Sequence, residues 1–226
     1  MAHILNIETA TTNCSVSIAK NGEVIVLKEH NSASYSHSEE LHNFIREALF
    51  GASLSFQDLN AIAVSKGPGS YTGLRIGVSA VKGLCFSLDI PLISVPTLES
   101  MAHQVTLGTA DFIIPVLDAR RMEVYSLVLD GTYHRVRETK AEIVDETSFQ
   151  EFAKKGKVQL VGSGAEKCRT LLKTPNFSFD TSIVPSAREM GKISYQKFTT
   201  NDFEDVAYFE PYYLKDFILQ GKKPSS

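Results

Sequence analysis

A pattern near the start of the chain returns about 110 residues later, and this repeat restricts the fold more than any other feature of the sequence. Each copy begins with an apolar run that ends in a carboxylate, Glu8 or Asp118. A turn and an alternating segment then lead to a hairpin glycine, Gly22 or Gly131, which follows Asn or Asp. The carboxylate precedes that glycine by 14 residues in the first copy and by 13 in the second. Two such units in tandem predict a duplicated fold with a cleft between the copies.

The apolar periodicity predicts a βββαβα order in both copies. In the first copy the predicted elements are strands at 4–7, 14–20 and 23–28, a helix over 36–50, a strand at 61–65, a helix over 72–88, a strand at 92–95 and a helix over 97–105. In the second they are strands at 113–117, 123–129 and 134–137, a helix over 148–154, a strand at 159–161, a helix from Gly164, a strand near 183–184 and a helix from Ser186. The fold class is therefore α/β, with lobes at 1–108 and 109–226, and by analogy actin-like (ASKHA, ribonuclease-H-like). The alternative is a chance match between two generic meanders.

The composition is that of an ordinary globular protein: 226 residues, 43% hydrophobic and 22% charged. The net charge of −3 argues against an autonomous nucleic-acid binder, and the short basic runs at 120–121 and 154–157 are typical of a solvated face. The N-terminus lacks the pattern of a signal peptide, and no apolar run is long enough for a membrane span. Three separated cysteines fit reduced thiols, so we expect a cytoplasmic protein.

A glycine-rich segment, GPGSYTGLRIG at 67–77, joins a predicted strand to a predicted helix. Such a loop either directs backbone N–H groups at an anion or forms a tight turn capped by Ser70 or Thr72. Small residues continue along the helix at Gly73, Gly77, Ala80 and Gly83, although glycine costs a helix interior about 1 kcal/mol relative to alanine. They indicate close approach of another backbone, which belongs either to the same lobe or to a second subunit.

Six segments of the sequence resemble the TsaB family, formerly called YeaZ. They are ILNIETATT at 4–12, GPGSYTGLRIG at 67–77, AVKGL at 80–84, IPLISVPTLE at 90–99, DARRMEVY at 118–125 and PYYLK at 211–215. The resemblance implies an actin-like two-lobe fold and a role in making N6-threonylcarbamoyladenosine beside the tRNA anticodon. It also implies a non-catalytic partner of the paralogous transferase TsaD, joined by the ATPase TsaE, with tRNA bound only through the complex.

The resemblance further implies a partner interface on the helices predicted at 36–50 and 72–88, and a homodimer when TsaD is absent. The predicted interface residues are Leu41, Phe44, Ile45, Tyr71, Leu74, Gly77, Val78, Ala80, Val81 and Leu84. TsaD carries a histidine pair spaced to share a metal, and Thr97 and Met101 stand at the matching positions here. Neither residue replaces such a ligand, so we expect no catalysis and no metal. No Gly-x-Ser-x-Gly motif indicates a hydrolase either.

A nucleotide site is the alternative that the sequence leaves open. The residues of a candidate vestigial site are Glu8, Thr11, Thr12, Asp118, Gly162 and Gly164. If Glu8 and Asp118 hold Mg²⁺, the chain is an active actin-fold ATPase or phosphotransferase. Ala10 and the pair Arg120-Arg121 depart from what such enzymes carry, so we expect no bound cofactor beyond a weak nucleotide contact within a complex.

Overall fold

The structure is a computed structural model, and it describes residues 1–32 and 37–214. The strands are β1 (His3–Glu8), β2 (Asn13–Lys20), β3 (Glu23–Asn31), β4 (Ala61–Gly67), β5 (Leu92–Pro96), β6 (Phe112–Asp118), β7 (Glu123–Asp130), β8 (Arg135–Ile143), β9 (Val158–Val161) and β10 (Phe177–Asp180). The helices are α1 (His37–Gly51), α2 (Tyr71–Leu88), α3 (Thr97–Ala102), α4 (Gln150–Ala153), α5 (Ala165–Leu171) and α6 (Ala187–Thr199), with a 3₁₀ turn at Phe56–Asp58.

The strands form two five-stranded sheets with the same internal order. The first sheet runs β3-β2-β1-β4-β5 and the second β8-β7-β6-β9-β10. In both, the first three strands pair antiparallel and the last two join in parallel. The duplicated βββαβα order predicted from the sequence is confirmed.

Alternation of side chains along the strands gives each sheet two buried faces. In β1, Leu5 and Ile7 pack on one side with helices α1 and α2, whereas Ile4 packs on the other side with α6. The second sheet repeats this arrangement: Val116 of β6 faces α5, and Leu117 faces α3. Strands buried on both faces require helices on both sides, which is why these strands are almost continuously apolar.

The two copies exchange their last helices. Helix α3, from the first copy, packs Leu98 and Met101 against the second sheet. Helix α6, from the second copy, packs Met190 and Ile193 against the first sheet. The exchange places α6 and Phe209, which come from the second predicted lobe, in the core of the first. The boundaries at 1–108 and 109–226 stay a prediction.

Residues 204–213 cross the first lobe as a segment with a turn at 206–208, which we call the C-terminal strap. It begins at the edge of the sheet, where the N–H of Glu204 donates to the carbonyl of Leu92 at 2.9 Å. The ammonium of Lys82, on α2, donates to the carbonyls of Ala207 and Phe209, each at 3.0 Å. Because the Phe209 ring is buried in the core of the first lobe, the strap is part of that lobe's packing.

The predicted strand near 183–184 is wrong. The strand lies at Phe177–Asp180, and the Asp180 carboxylate ends it by accepting the N–H of Ser182 at 2.9 Å. Ile183 is apolar because it fills the core beside α3, and not because it belongs to a strand. Helices α3 and α4 are shorter than predicted, and Ser36, where the first helix was predicted to begin, lies outside the described residues. No helix in residues 1–32 and 37–214 is long and apolar enough to cross a membrane.

Candidate functional site

The carboxyl group of Glu8 is completely buried at the end of β1. Its Oε1 accepts hydrogen bonds from the N–H of Ala10 at 2.6 Å and from the hydroxyl of Ser65 at 2.8 Å. Its Oε2 has no partner among the residues that the structure describes. Burial raises the pKa of this carboxyl from 4.5 to about 7, and the hydrogen bonds offset only part of that rise. Near neutral pH much of Glu8 is therefore protonated and uncharged.

The turn that follows Glu8 packs against the glycine-rich segment. The N–H of Ser70 donates to the carbonyl of Ala10 at 2.6 Å. A Cβ added at Gly69 would lie 2.5 Å from that same carbonyl oxygen. The hydroxyl of Ser70 accepts the N–H of Gly73 at 3.3 Å, as expected for the helix cap. Two N–H groups of the segment are thus engaged within the lobe, which favours the tight-turn interpretation over an anion cradle.

The small residues at the start of α2 have the same explanation. A Cβ at Gly73 would overlap the carbonyl oxygen of Thr9, and a Cβ at Gly77 would overlap the Thr9 side chain. Gly83 lies six residues after Gly77 in α2, and a Cβ added there would have no atom within 4 Å. The close approach predicted from the sequence therefore involves the chain's own Thr9 at Gly73 and Gly77, and not a second subunit.

Asp118, the counterpart of Glu8 in the second copy, is part of an ion pair. Its Oδ1 lies 2.9 Å from the ammonium of Lys167 on α5 and also accepts the N–H of Arg120 at 2.6 Å. The hydroxyl of Ser163 accepts the N–H of Asp118 at 3.1 Å. The sequence did not identify Lys167, because nothing in the pattern indicates that α5 places an ammonium beside this hairpin.

The other residues of the candidate nucleotide site have structural roles. The carbonyl of Thr11 lies 2.6 Å from Nε2 of His37, and the hydroxyl of Thr12 donates to the Asn31 side chain at 2.7 Å. Gly162 has a φ of +108°, and a Cβ there would lie 2.5 Å from the carbonyl oxygen of Val116. Gly164 is less crowded: its Cβ position lies 3.1 Å from Cγ1 of Val124 and 3.2 Å from the carbonyl carbon of Leu117.

An actin-like fold implies a magnesium–nucleotide complex held between two such carboxylates. Here burial raises the pKa of Glu8, which favours its protonated form, and the charge of Asp118 is neutralised by the ammonium of Lys167. Over residues 1–32 and 37–214, no group of three or more His, Cys, Asp or Glu side chains is placed to hold a metal ion. In this conformation the described residues do not fit a magnesium ion shared by Glu8 and Asp118.

Thr97 and Met101, which stand at the transferase's histidine positions, are both buried. The hydroxyl of Thr97 accepts the N–H of Gly67 at 3.2 Å, and the Thr97 side chain is buried. Met101 is fully buried in the core between α3 and the second sheet, with its Cε against Gly162. Neither side chain faces a cleft where a substrate or metal could reach it.

The predicted partner interface needs correction. Six of its ten residues are buried in the core of the first lobe: Leu41, Ile45, Leu74, Gly77, Val78 and Val81. The remaining four are half-buried: Phe44, Tyr71, Ala80 and Leu84. The prediction took the apolar face of each helix as the docking surface, but that face covers the chain's own sheet.

The exposed side of α2 carries a different set of residues. Four of them, Thr72, Ser79, Gly83 and Phe86, are called the α2 outer face below; Arg75 and Ser87 are exposed as well. Phe86 is 84% exposed, so most of its ring is accessible to a partner. Beside it, an open cleft of about 670 Å³ separates α2 from residues 205–207 of the strap.

The strap ends against the start of α2. The N–H of Tyr212 donates to the carbonyl of Lys66 at 2.7 Å. Nε of Arg75 donates to the hydroxyl of Tyr213 at 3.2 Å, and the Arg75 guanidinium lies 4.1 Å above the Tyr71 ring. The aromatic residues of the tail were visible in the sequence, but their contacts with α2 were not. Residues 215–226 lie outside the described part of the chain.

Comparison with known proteins identifies the family. Residues 29–216 match the family model of TsaD, described as tRNA N6-adenosine threonylcarbamoyltransferase. The chain is 30% identical over 229 residues to the tRNA threonylcarbamoyladenosine biosynthesis protein TsaB of Escherichia coli strain K12, and the alignment covers 98% of each chain. The chain belongs to the TsaB family. This confirms the resemblance seen in the sequence and assigns the chain to the biosynthesis of tRNA threonylcarbamoyladenosine.

Solved structures have the same fold as this TsaB-family chain. A Pseudomonas aeruginosa protein described as similar to the peptidase YeaZ matches with a TM-score of 0.85, over 95% of this chain and 100% of that one, at 23% identity. Component A of the (R)-2-hydroxyglutaryl-CoA dehydratase of Acidaminococcus fermentans matches with a TM-score of 0.51, over 88% of this chain and all of that one, at 11% identity. Identities this low establish the fold alone, and the predicted two-lobe, actin-like fold is confirmed.

Proposed function

We propose that this TsaB-family chain is a non-catalytic subunit that binds the transferase TsaD and supports its modification of tRNA. The observation that carries the proposal is that the chain matches the TsaD family but lacks the transferase's histidine pair. The TsaD family model matches residues 29–216, yet the positions of the transferase's histidine pair hold Thr97 and Met101, both buried in this chain. A chain that keeps the fold of an enzyme without its reactive groups fits a role in association.

The α2 outer face is the surface that we assign to TsaD. Related lobes tend to pair through equivalent elements about a local two-fold axis, so the expected occupant is the equivalent helix of the transferase. Phe86 offers an aromatic anchor of the type that dominates binding energy, and the small residues Ser79 and Gly83 let a second helix approach closely. The cleft between α2 and the strap can accept a side chain from that helix. A specific complex should bury about 1,200–2,000 Å² in total.

The same surface accounts for the other proposed partners. A face that fits the transferase's equivalent helix also fits a second copy of this chain, so a homodimer is the expected state without TsaD. We assign TsaE and tRNA to the assembled complex, because a net charge of −3 gives the chain alone little attraction for a polyanion. We propose that the complex acts in the cytoplasm.

Replacement of Phe86 by glutamate is expected to weaken binding to TsaD by at least about 30-fold, since loss of an aromatic anchor costs about 2 kcal/mol or more. Because Phe86 is exposed, the variant should unfold at the same denaturant concentration as the wild type. Affinity is measured by isothermal titration calorimetry, and threonylcarbamoyladenosine formation on tRNA is followed with TsaD, TsaE and the variant. The affinity for TsaD and the amount of threonylcarbamoyladenosine formed should both fall.

Ile143→Glu is the matched control, because Ile143 is an exposed apolar residue at the end of β8 on the second lobe. It introduces the same charge and should leave affinity and modification unchanged. Equal loss in both variants would point to a general effect of added charge. Full affinity of Phe86→Glu for TsaD would remove the α2 outer face from the interface, and normal tRNA modification without this chain would remove the proposed function itself.

A further inference from the structure

The ammonium of Lys167 is surrounded by three oxygen atoms of the hairpin between β6 and β7. It donates to Oδ1 of Asp118 at 2.9 Å, to the carbonyl of Arg121 at 2.6 Å and to the carbonyl of Glu123 at 3.1 Å. These three atoms are called the hairpin oxygens below. An ammonium has three donors, so its hydrogen-bonding capacity is fully used. The Lys167 side chain is only 14% exposed, although it belongs to a residue type that is seldom buried.

The hairpin that this ammonium contacts has an unfavourable backbone. Arg120 and Arg121 have φ values of +69° and +49°, in the left-handed region that non-glycine residues avoid. Hairpin turns with this backbone usually carry Asn or Gly, whereas both positions are arginine here. A conformation of this kind persists only where its surroundings hold it in place. The bonds from Lys167 to the carbonyls of Arg121 and Glu123 tie this turn to α5, in addition to the backbone bonds between Ala119, Arg120 and Glu123 within the hairpin.

The ligand set is one that a hard cation would also use. A carboxylate and two backbone carbonyls are the oxygen ligands typical of Ca²⁺ and Mg²⁺ sites. We propose that Lys167 is a tethered cation: its ammonium occupies the hairpin oxygens, holds the Arg120-Arg121 turn in its left-handed conformation and excludes a free divalent ion from Asp118. The carboxylate that an actin-like enzyme would use for its metal is thereby neutralised from within the chain.

This inference is independent of the proposed function, because it concerns the second lobe and not the α2 outer face. It also explains how contacts within the chain hold the hairpin geometry of the second copy. The carboxylate of Asp118 satisfies two donors, the ammonium of Lys167 and the N–H of Arg120, so the tip of the hairpin is closed by contacts within the chain. Removal of the ammonium should leave three inward-facing oxygens without a cation.

The test is to remove the ammonium and offer a cation. The full chain carrying Lys167→Ala is titrated with Ca²⁺ by isothermal titration calorimetry, beside the wild type and Lys173→Ala. Lys173 is the matched control, because it is exposed and, within the described part of the chain, its ammonium donates only to the carbonyl of Arg169. We expect Lys167→Ala to gain a Ca²⁺ site that the other two proteins lack. Adding Asp118→Asn should weaken that site by about tenfold or more, since loss of even a supporting group costs metal sites this much.

A second variant keeps the proposal testable if Lys167→Ala does not fold. Lys167→Met retains the aliphatic stem of the side chain and removes only the charge and the donors. Two backbone amides report on the hairpin: the N–H of Ala119 donates to the carbonyl of Glu123, and the N–H of Glu123 donates to the carbonyl of Arg120. Their hydrogen exchange should be at least about tenfold faster in Lys167→Met than in Lys173→Met. Unchanged exchange in Lys167→Met would overturn the proposal. So would a folded Lys167→Ala that binds no more Ca²⁺ than the wild type, or a gained site that survives Asp118→Asn.

Discussion

Replacing Gly73 by alanine is expected to destabilise the first lobe by about 3 kcal/mol, although alanine is the better helix former. A Cβ at Gly73 would overlap the backbone carbonyl oxygen of Thr9, so either α2 or the turn after β1 must move. That turn also supplies the N–H of Ala10 to the buried carboxyl of Glu8, and the displacement would disturb this bond too. Urea unfolding followed by circular dichroism measures the change.

Gly83→Ala is the matched control, because it makes the same substitution in the same helix, α2, at a position where nothing lies within 4 Å of the new Cβ. It should stabilise the chain by about 0.5–1 kcal/mol through helix propensity alone. The two variants are thus expected to shift stability in opposite directions. Equal effects would contradict the explanation of the small residues at the start of α2. Gly77→Leu should also destabilise, because Thr9 lies against it.

Replacing Glu8 by glutamine is expected to remove a large pH dependence of stability. The pKa of Glu8 is raised from 4.5 to about 7 by burial, so the folded state holds this proton more tightly than the unfolded state does. The contribution is fully present below the unfolded pKa of 4.5, falls as pH rises and is lost above about 7. A rise of this size corresponds to about 3 kcal/mol. Glutamine resembles the protonated form, so Glu8→Gln should gain about 3 kcal/mol relative to wild type between low pH and mildly alkaline pH.

The measurement is the free energy of unfolding of both proteins over a series of pH values. Glu189 is the comparison, because burial also raises its pKa to about 7 and its effect falls in the same pH window. The Glu189→Gln variant should therefore lose its own share of the pH dependence and keep that of Glu8. Parallel curves for Glu8→Gln and the wild type would show that Glu8 is ionised in the folded chain, and would reopen it as a cation ligand.

Sequence patterns were sufficient for the architecture because the constraint is repeated. Strands buried on both faces must be apolar along their whole length, and this pattern appears twice with hairpin glycines at nearly the same offset. The strand near Ile183 was misplaced because a buried residue in an irregular segment has the same apolar signature as a strand residue. The exchange of α3 and α6 between lobes was not predictable, since an apolar helix face does not specify which sheet it covers.

The same ambiguity limited prediction of the site. Leu41 and Val81 were predicted at a partner interface because apolar helix faces suit both cores and interfaces, and burial assigns them to the core. Phe86 is not among the predicted interface residues because it lies off that apolar face of α2, and it is exposed for the same reason. Glu8 and Asp118 were found from their matching positions, but the sequence does not reveal that Ser65 and Lys167 are their partners.

The central claim is that this chain acts by binding TsaD, and light scattering after gel filtration tests it most directly. The chain is measured alone, then mixed with TsaD of the same organism, each with and without ATP. The account predicts a one-to-one complex that replaces any homodimer of the chain. Two separate species under every condition, with no complex detected, would contradict it.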